Sequence, residues 1–293
     1  MNGAVLIDKP QGWTSHDVVN RWRKLANTKR AGHLGTLDPM ATGLLVLITG
    51  TATRLAQFLD KSDKTYLAEI TFGVVSDTYD AEGEIVSTGV GAPVDPDIVH
   101  AALERFTGAF LQTPPPVSAK KIKGVPAYKL ARKNIEPELK PVQVQVKNLE
   151  IKCVSPAKLE LLITCSAGTY IRSIAHDLGQ VLGCGALLSK LRRTQAGQFH
   201  ISQARSLEDL SDLASAARLN EAVISSAELL PHIPAEYVDL QTEAQIRQGR
   251  DFRTSPFVVK PGAPMVKAVS RTGELIAIGE MRMPNVYHPS TVL

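Results

Sequence analysis

The chemistry in this chain starts from one carboxylate. Asp38 lies in Gly32-His33-Leu34-Gly35-Thr36-Leu37-Asp38-Pro39-Met40-Ala41-Thr42-Gly43-Leu44, a glycine-rich loop that runs into the apolar stretch Leu44-Leu45-Val46-Leu47-Ile48-Thr49. The stretch predicts a buried strand, and an acid delivered from a rigid loop onto a core strand is how a fold presents a nucleophile or a base. Asp-Pro is also a common turn dipeptide, so a turn role for Asp38 stands beside the chemical one. Tyr66, in Asp63-Lys64-Thr65-Tyr66, opens a strand and reads on its own as an amphipathic strand residue. Arg172, in Gly168-Thr169-Tyr170-Ile171-Arg172, falls in the first turn of a helix. A cation there opposes the helix dipole, which favours a specific anionic partner, and Asp38 is one whose carboxylate a guanidinium would keep ionised. His33 by residue type is an ordinary loop histidine, and Leu191-Arg192-Arg193-Thr194 reads as the close of a basic helix.

The elements that must position these groups are legible around them. Ser15 to Arg30 predicts a helix capped by Ser15, with Val18, Val19, Trp22 and Leu25 on one face. Tyr66 to Phe72 alternates as a strand, and Val142 to Val146 and Leu159 to Ile163 predict neighbouring antiparallel strands. Asp95-Pro96 opens a helix whose stripe is Ile98, Ala102, Leu103 and Phe106; Thr169 to Leu182 forms another, stopped by Gly183. Ser206 and Asp209 make a capping pair. Strands and helices mix without a βαβ rhythm, which implies an α+β fold with a mixed, mostly antiparallel sheet flanked by helices. Gln112 to Pro141, about 112–141, interrupts the pattern with the proline run Pro114-Pro115-Pro116 and a basic window that is partly helical near Ala127 to Lys133. Beyond Pro234 the runs Phe257-Val258-Val259, Met265 to Val269 and Leu275 to Ile278 predict a small β module.

Composition narrows the classes. The chain has 293 residues, 44% hydrophobic, which allows one large domain or two. No apolar run nears the roughly 18 residues of a membrane span, and an acid comes too early for a secretory signal, so a cytoplasmic protein is expected. Three cysteines and seven histidines form no CxxC or His-x-x-x-His pair, and neither a GxxxxGK[ST] nor a GxGxxG loop occurs. The net charge of +4 is unevenly spread. Lys120, Lys121, Lys123, Lys129, Arg132 and Lys133 crowd one acid-free window, and Arg21, Arg23, Lys24, Lys29 and Arg30 another. Such clusters fit a polyanion partner, or solvated helix faces.

Taken in order, the motifs resemble those of the bacterial tRNA pseudouridine-55 synthases, the B-type pseudouridine synthase family. The Gly32–Leu44 stretch is similar to the family's catalytic-aspartate motif and Asp63–Tyr66 to its tyrosine motif. Pro115–Gly124 and Tyr128–Arg132 resemble its RNA-gripping insertion, while Gly168–Arg172 and Leu191–Thr194 resemble its remaining motifs. Val117 departs from the aromatic residue common there. The resemblance implies isomerisation of U55 in the T-loop of tRNA to pseudouridine by base flipping, with no cofactor and no metal. By resemblance Asp38 is the nucleophile, at the sugar C1′ or the base C6. Arg172 holds it ionised, Tyr66 stacks on the uracil, and Leu191 and Tyr170 line the pocket. His33 takes the vacated place in the RNA loop, and Lys120, Lys121, Lys123 and Arg132 grip phosphates. It further implies a monomer acting on the T-arm of tRNA, with a catalytic domain over 1–234 and a PUA-like barrel over 235–293. The alternative is a non-catalytic tRNA-binding or RNA-folding protein on the same scaffold.

Overall fold

The computed structural model describes residues 1–91, 96–118, 139–260 and 262–293, and between 118 and 139 only the backbone of two short paired strands, Lys121–Ile122 and Val125–Pro126. The predicted helix at Ala127 to Lys133 and the Asp95 cap lie outside the described residues.

Nine strands carry the argument: β1 (Gly3–Lys9), β2 (Ala31–Leu34), β3 (Thr42–Thr49), β4 (Lys64–Phe72), β5 (Gly108–Gln112), β6 (Val142–Val154), β7 (Lys158–Cys165), β8 (Ala186–Ala196) and β9 (Val223–Ser225). They form one sheet in the order β9-β1-β3-β8-β4-β7-β6-β5, with β2 pairing outside that path on β3. The pairings are antiparallel except β3 with β8, which run parallel at Arg192↔Thr42 and Arg193↔Gly43. The expected α+β class with a mixed, mostly antiparallel sheet is what the chain adopts.

β3 shows why this sheet forms. Its near-continuous apolar run suits a strand covered on both faces. Leu45 and Leu47 join Val5 and Ile7 of β1 against Val18, Val19 and Trp22 of the helix α1 (Ser15–Leu25). Leu44, Val46 and Ile48 point the other way, into a second cluster shared with Val269, Leu275 and Ile278 from the C-terminal part. The period-2 alternation of β4 turns Tyr66, Ala68, Ile70 and Phe72 toward the first cluster. The chain also contains α2 (Pro96–Glu104), α3 (Ile171–Val181) and α4 (Leu207–Ser215). The C-terminal residues build a separate five-stranded sheet, in the order 235–238, 265–270, 275–283, 286–292, 252–253. Among the described residues no helix is long and apolar enough to cross a membrane.

Four expectations need correction. Thr14, not Ser15, caps α1, in a capping box with Asp17, and the helix ends at Leu25 rather than Arg30 because Asn27 turns to φ 45°. Ser15 is buried and bonds the backbone of Leu37 instead. The basic Leu191–Thr194 segment is a strand, since cross-strand pairing with β4 decides its conformation. In α2 the buried position is Val99, while Ile98 is 50% exposed, a one-residue slip of the helical stripe. Phe257-Val258-Val259 is a turn, and Phe257 stands 97% exposed.

Candidate active site

The loop between β2 and β3 carries Asp38, and a left-handed glycine stands at each end: Gly35 at φ +79° and Gly43 at φ +98°. The loop is pinned from several sides. Ser15 Oγ donates to the Leu37 carbonyl at 3.0 Å and accepts from its N–H at 2.8 Å. The Pro39 carbonyl accepts from Gly12 N–H at 2.9 Å and from the Lys9 ammonium at 3.3 Å. Lys9 is fully buried and also donates to the carbonyls of Pro10 and Trp13; burial pulls its pKa down to about 8. Leu37 and Met40 bury beside Asp38, and the Asp38 side chain is left 35% exposed.

That exposed side faces a cleft of about 260 Å³, ample for an organic ring and far above the ~30 Å³ share of one water. Its lining includes Asp38, Lys64, Tyr66, Tyr170, Leu191 and Arg193. Tyr66 and Leu191 supply a mostly buried apolar wall, 9% and 8% exposed. Burial pushes the phenols of Tyr66 and Tyr170 up, so both are neutral.

Arg172, expected to contact Asp38, does so. It sits in the first turn of α3 and is nonetheless buried. Its Nε lies 3.0 Å from Asp38 Oδ2. Its Nη1 lies 3.2 Å from Asp80 Oδ2 and donates to the Thr78 carbonyl at 3.1 Å. One guanidinium therefore joins two carboxylates, which resolves its unfavourable position on the dipole. The start of α3 is held by Gln112, whose amide both donates to the Tyr170 carbonyl (3.0 Å) and accepts from its N–H (2.8 Å). Burial raises the Asp38 carboxyl above its ordinary range, with Arg172 opposing that rise.

Sequence reasoning missed Asp80. It is a buried acid in the turn Asp77-Thr78-Tyr79-Asp80, which offers no periodic signal. Its carboxylate also accepts from Thr78 Oγ1 (2.7 Å) and Glu82 N–H (3.0 Å), and the turn is fixed to α3 where the Tyr79 ring stacks on His176 at 3.7 Å. Sequence reasoning also missed the burial of Lys9 and Arg193. The structure brings Asp38, Tyr66, Tyr170, Arg172 and Leu191 to one cleft. His33 lies on β2, half-buried, outside the cleft lining, and its Nδ1 has no hydrogen-bond partner. Lys120, Lys123 and Arg132 lie outside the described residues, and of Lys121 only the backbone is described.

The arrangement offers a half-exposed carboxylate, its cationic holder and an apolar slot for a planar ring. Such a set can carry out nucleophilic chemistry on a planar ring. Residues 23–171 match the TruB family pseudouridylate synthase N-terminal domain, and residues 172–232 match the tRNA pseudouridylate synthase B C-terminal domain. The chain belongs to the TruB family of pseudouridylate synthases. It is 52% identical over 293 residues to the tRNA pseudouridine synthase B of Solibacter usitatus (strain Ellin6076), covering 100% of both chains. It is 41% identical over 249 residues to that of Geobacter sulfurreducens, covering 85% of this chain and 82% of that one. Among solved structures, the fold is similar to a chain in the crystal structure of a Cbf5-Nop10-Gar1 complex, with TM-score 0.70 and 27% identity over 97% of this chain and 79% of that one.

Proposed function

We propose that this protein converts uridine 55 in the T-loop of tRNA to pseudouridine. The observation that carries the reading is the Asp38 carboxylate, presented at 3.0 Å from Arg172 beside the Tyr66–Leu191 wall, in a chain of this family. A base folded into the T-loop has to swing out before its sugar bond can be reached, at a cost of a few kcal/mol, and the cleft supplies aromatic and apolar surface in return. Asp38 is the nucleophile, Arg172 keeps its charge and aim, Tyr66 stacks on the uracil, and Tyr170 and Leu191 close the pocket. His33 props the vacated place in the RNA loop. The basic insertion, Lys120, Lys121, Lys123 and Arg132 among it, clamps phosphates, so affinity is salt-dependent and specificity rests on the shape of the T-loop. The protein works without a cofactor, as a cytoplasmic monomer.

We place the catalytic unit at 1–234 and a PUA-like accessory unit at 235–293. The shared cluster of Leu44, Val46 and Ile48 with Val269, Leu275 and Ile278 supports a fixed mounting of the second on the back of the first. The test of substrate and site is to incubate the protein with an unmodified tRNA transcript and map pseudouridine at each nucleotide. One modified uridine, in the T-loop, is the expected result; modification elsewhere, or none, overturns the reading.

A further inference from the structure

Arg193 is among the largest fully buried side chains of the molecule, 1% exposed. Arginine does not shed its proton, so the charge is present at every working pH. Buried charges are ordinarily paired. Arg193, however, forms no ion pair among the described residues: its Nε donates to the Leu44 carbonyl at 2.6 Å and its Nη2 to the Gly35 carbonyl at 3.1 Å. Its neighbour in the cleft, Lys64, is 5% exposed and likewise rests on carbonyls, those of Asp60 and Ser62. The Arg193 charge is felt across the cleft. It stands directly opposite Tyr66 in the β8–β4 register and belongs to the lining. Burial depresses the Lys64 and His33 pKa values, and Arg193 depresses both further.

The two backbone carbonyls, and the Tyr66 hydroxyl that also hydrogen-bonds Arg193, carry no formal charge, so none of them neutralises the guanidinium in the cleft lining, where a base would lie. A phosphodiester would also answer a cation, but its charge stays on the RNA backbone, at the mouth. We propose that Arg193 is the counter-charge for the uracil ring during the reaction, stabilising the negative charge that the ring acquires. The inference rests on the target uridine entering this cleft. If Asp38 attacks C1′, the new C1′–O bond forms as the C1′–N1 bond breaks, and the bonding pair stays on the ring, spread over N1 and the two carbonyl oxygens. If Asp38 attacks C6, the C5=C6 pair moves onto the C4 carbonyl oxygen. On the first route the ring is an anion until C5 bonds C1′ and displaces the carboxylate from it; on the second the C1′–N1 pair passes to N1 as C5 bonds C1′, and the carboxylate is later eliminated from C6. On both, C5 gives up its proton to a base and N1 takes one up, so the carboxylate is regenerated and no proton is gained or lost overall.

The test compares single-turnover loss of the target N-glycoside in T-arm RNA carrying uridine or 5-fluorouridine, for the parent protein and Arg193→Met. Fluorine stabilises the ring anion by itself. The variant is expected to lose about 10²-fold on uridine, the scale of one removed anion-stabilising donor, and about tenfold or less on 5-fluorouridine. Equal losses on both substrates mean that Arg193 only staples the loop, and overturn the proposal. A variant that fails to fold is replaced by a measurement on the parent protein bound to T-arm RNA lacking the target base. There 5-nitrouracil, an anion at neutral pH, should bind about tenfold or more tighter than neutral thymine; equal or weaker binding overturns the proposal. Full activity of Asp38→Asn would instead overturn the reading on which the inference rests.

Discussion

Replacing Arg172 by methionine leaves two carboxylates without their shared cation, and the consequences at the two differ. Two unit charges about 4 Å apart attract by about 4 kcal/mol at an effective dielectric constant of about 20. The Asp38 side chain, 3.0 Å from Arg172, is 35% exposed. Solvent screening therefore reduces its share to about 1–2 kcal/mol. With the opposing cation gone, the Asp38 pKa rises further in Arg172→Met. In the proposed role of nucleophile Asp38 reacts ionised, so activity is expected to fall as pH drops through its pKa, and the acidic limb of the rate profile to move to higher pH. Asp80, by contrast, has a side chain only 3% exposed. Stranding a buried carboxylate costs about 3–5 kcal/mol of stability. Single-turnover rates on T-arm RNA across the acidic range, with urea unfolding of the same protein, read both effects. An acidic limb that stays put or moves to lower pH, or a stability loss under about 1 kcal/mol, refutes the reasoning.

Other positions give independent checks. Glu69 is mostly buried, which would raise its pKa, but hydrogen bonds from Lys190, Lys158 and Ser189 outweigh that and hold it at about 2. Its stabilisation is present above the ordinary glutamate value and is lost as pH falls through about 2. Because both lysines are exposed, Glu69→Gln is expected to cost only about 1–2 kcal/mol at pH 7 and nothing at the acid extreme, by chemical denaturation. Gly43→Ala puts a Cβ 2.3 Å from the Arg193 carbonyl at a φ of +98°; it should lose about 2 kcal/mol or more in thermal unfolding. Neutralising Lys120, Lys121 and Lys123 should weaken RNA binding and lower the slope of log K against log salt by about 1–3. An unchanged slope counts against the phosphate clamp.

The cleft was legible where chemistry and sequence order coincide. Asp38, Tyr66 and Arg172 were visible from residue type, from strand and helix boundaries, and from the motif order that carries the family resemblance. Arg172 was also flagged by its conflict with the helix dipole, which the Asp38–Arg172–Asp80 triplet resolves. β3 and β4 declared themselves by continuous and alternating apolarity. What stayed hidden depends on pairing across distant segments. The Leu191–Thr194 strand is decided by its register with β4, and its positive charges suggested a helix face instead. Lys9 and Arg193 carry charge, so no hydrophobic pattern marks them as interior; carbonyls from segments distant in sequence, that of Pro39 for Lys9 and those of Leu44 and Gly35 for Arg193, meet them there. Asp80 is placed by a turn packed on α3, and turn residues of that kind carry no period.

The most direct measurement of the whole account is single-turnover isomerisation of a T-arm RNA by Asp38→Asn, with RNA affinity measured on the same protein. The side chain keeps its size and loses its charge. The account predicts RNA binding like that of the parent and a rate lower by about 10⁴-fold or more, the scale for a lost nucleophile. Pseudouridine formed at the parental rate would contradict it.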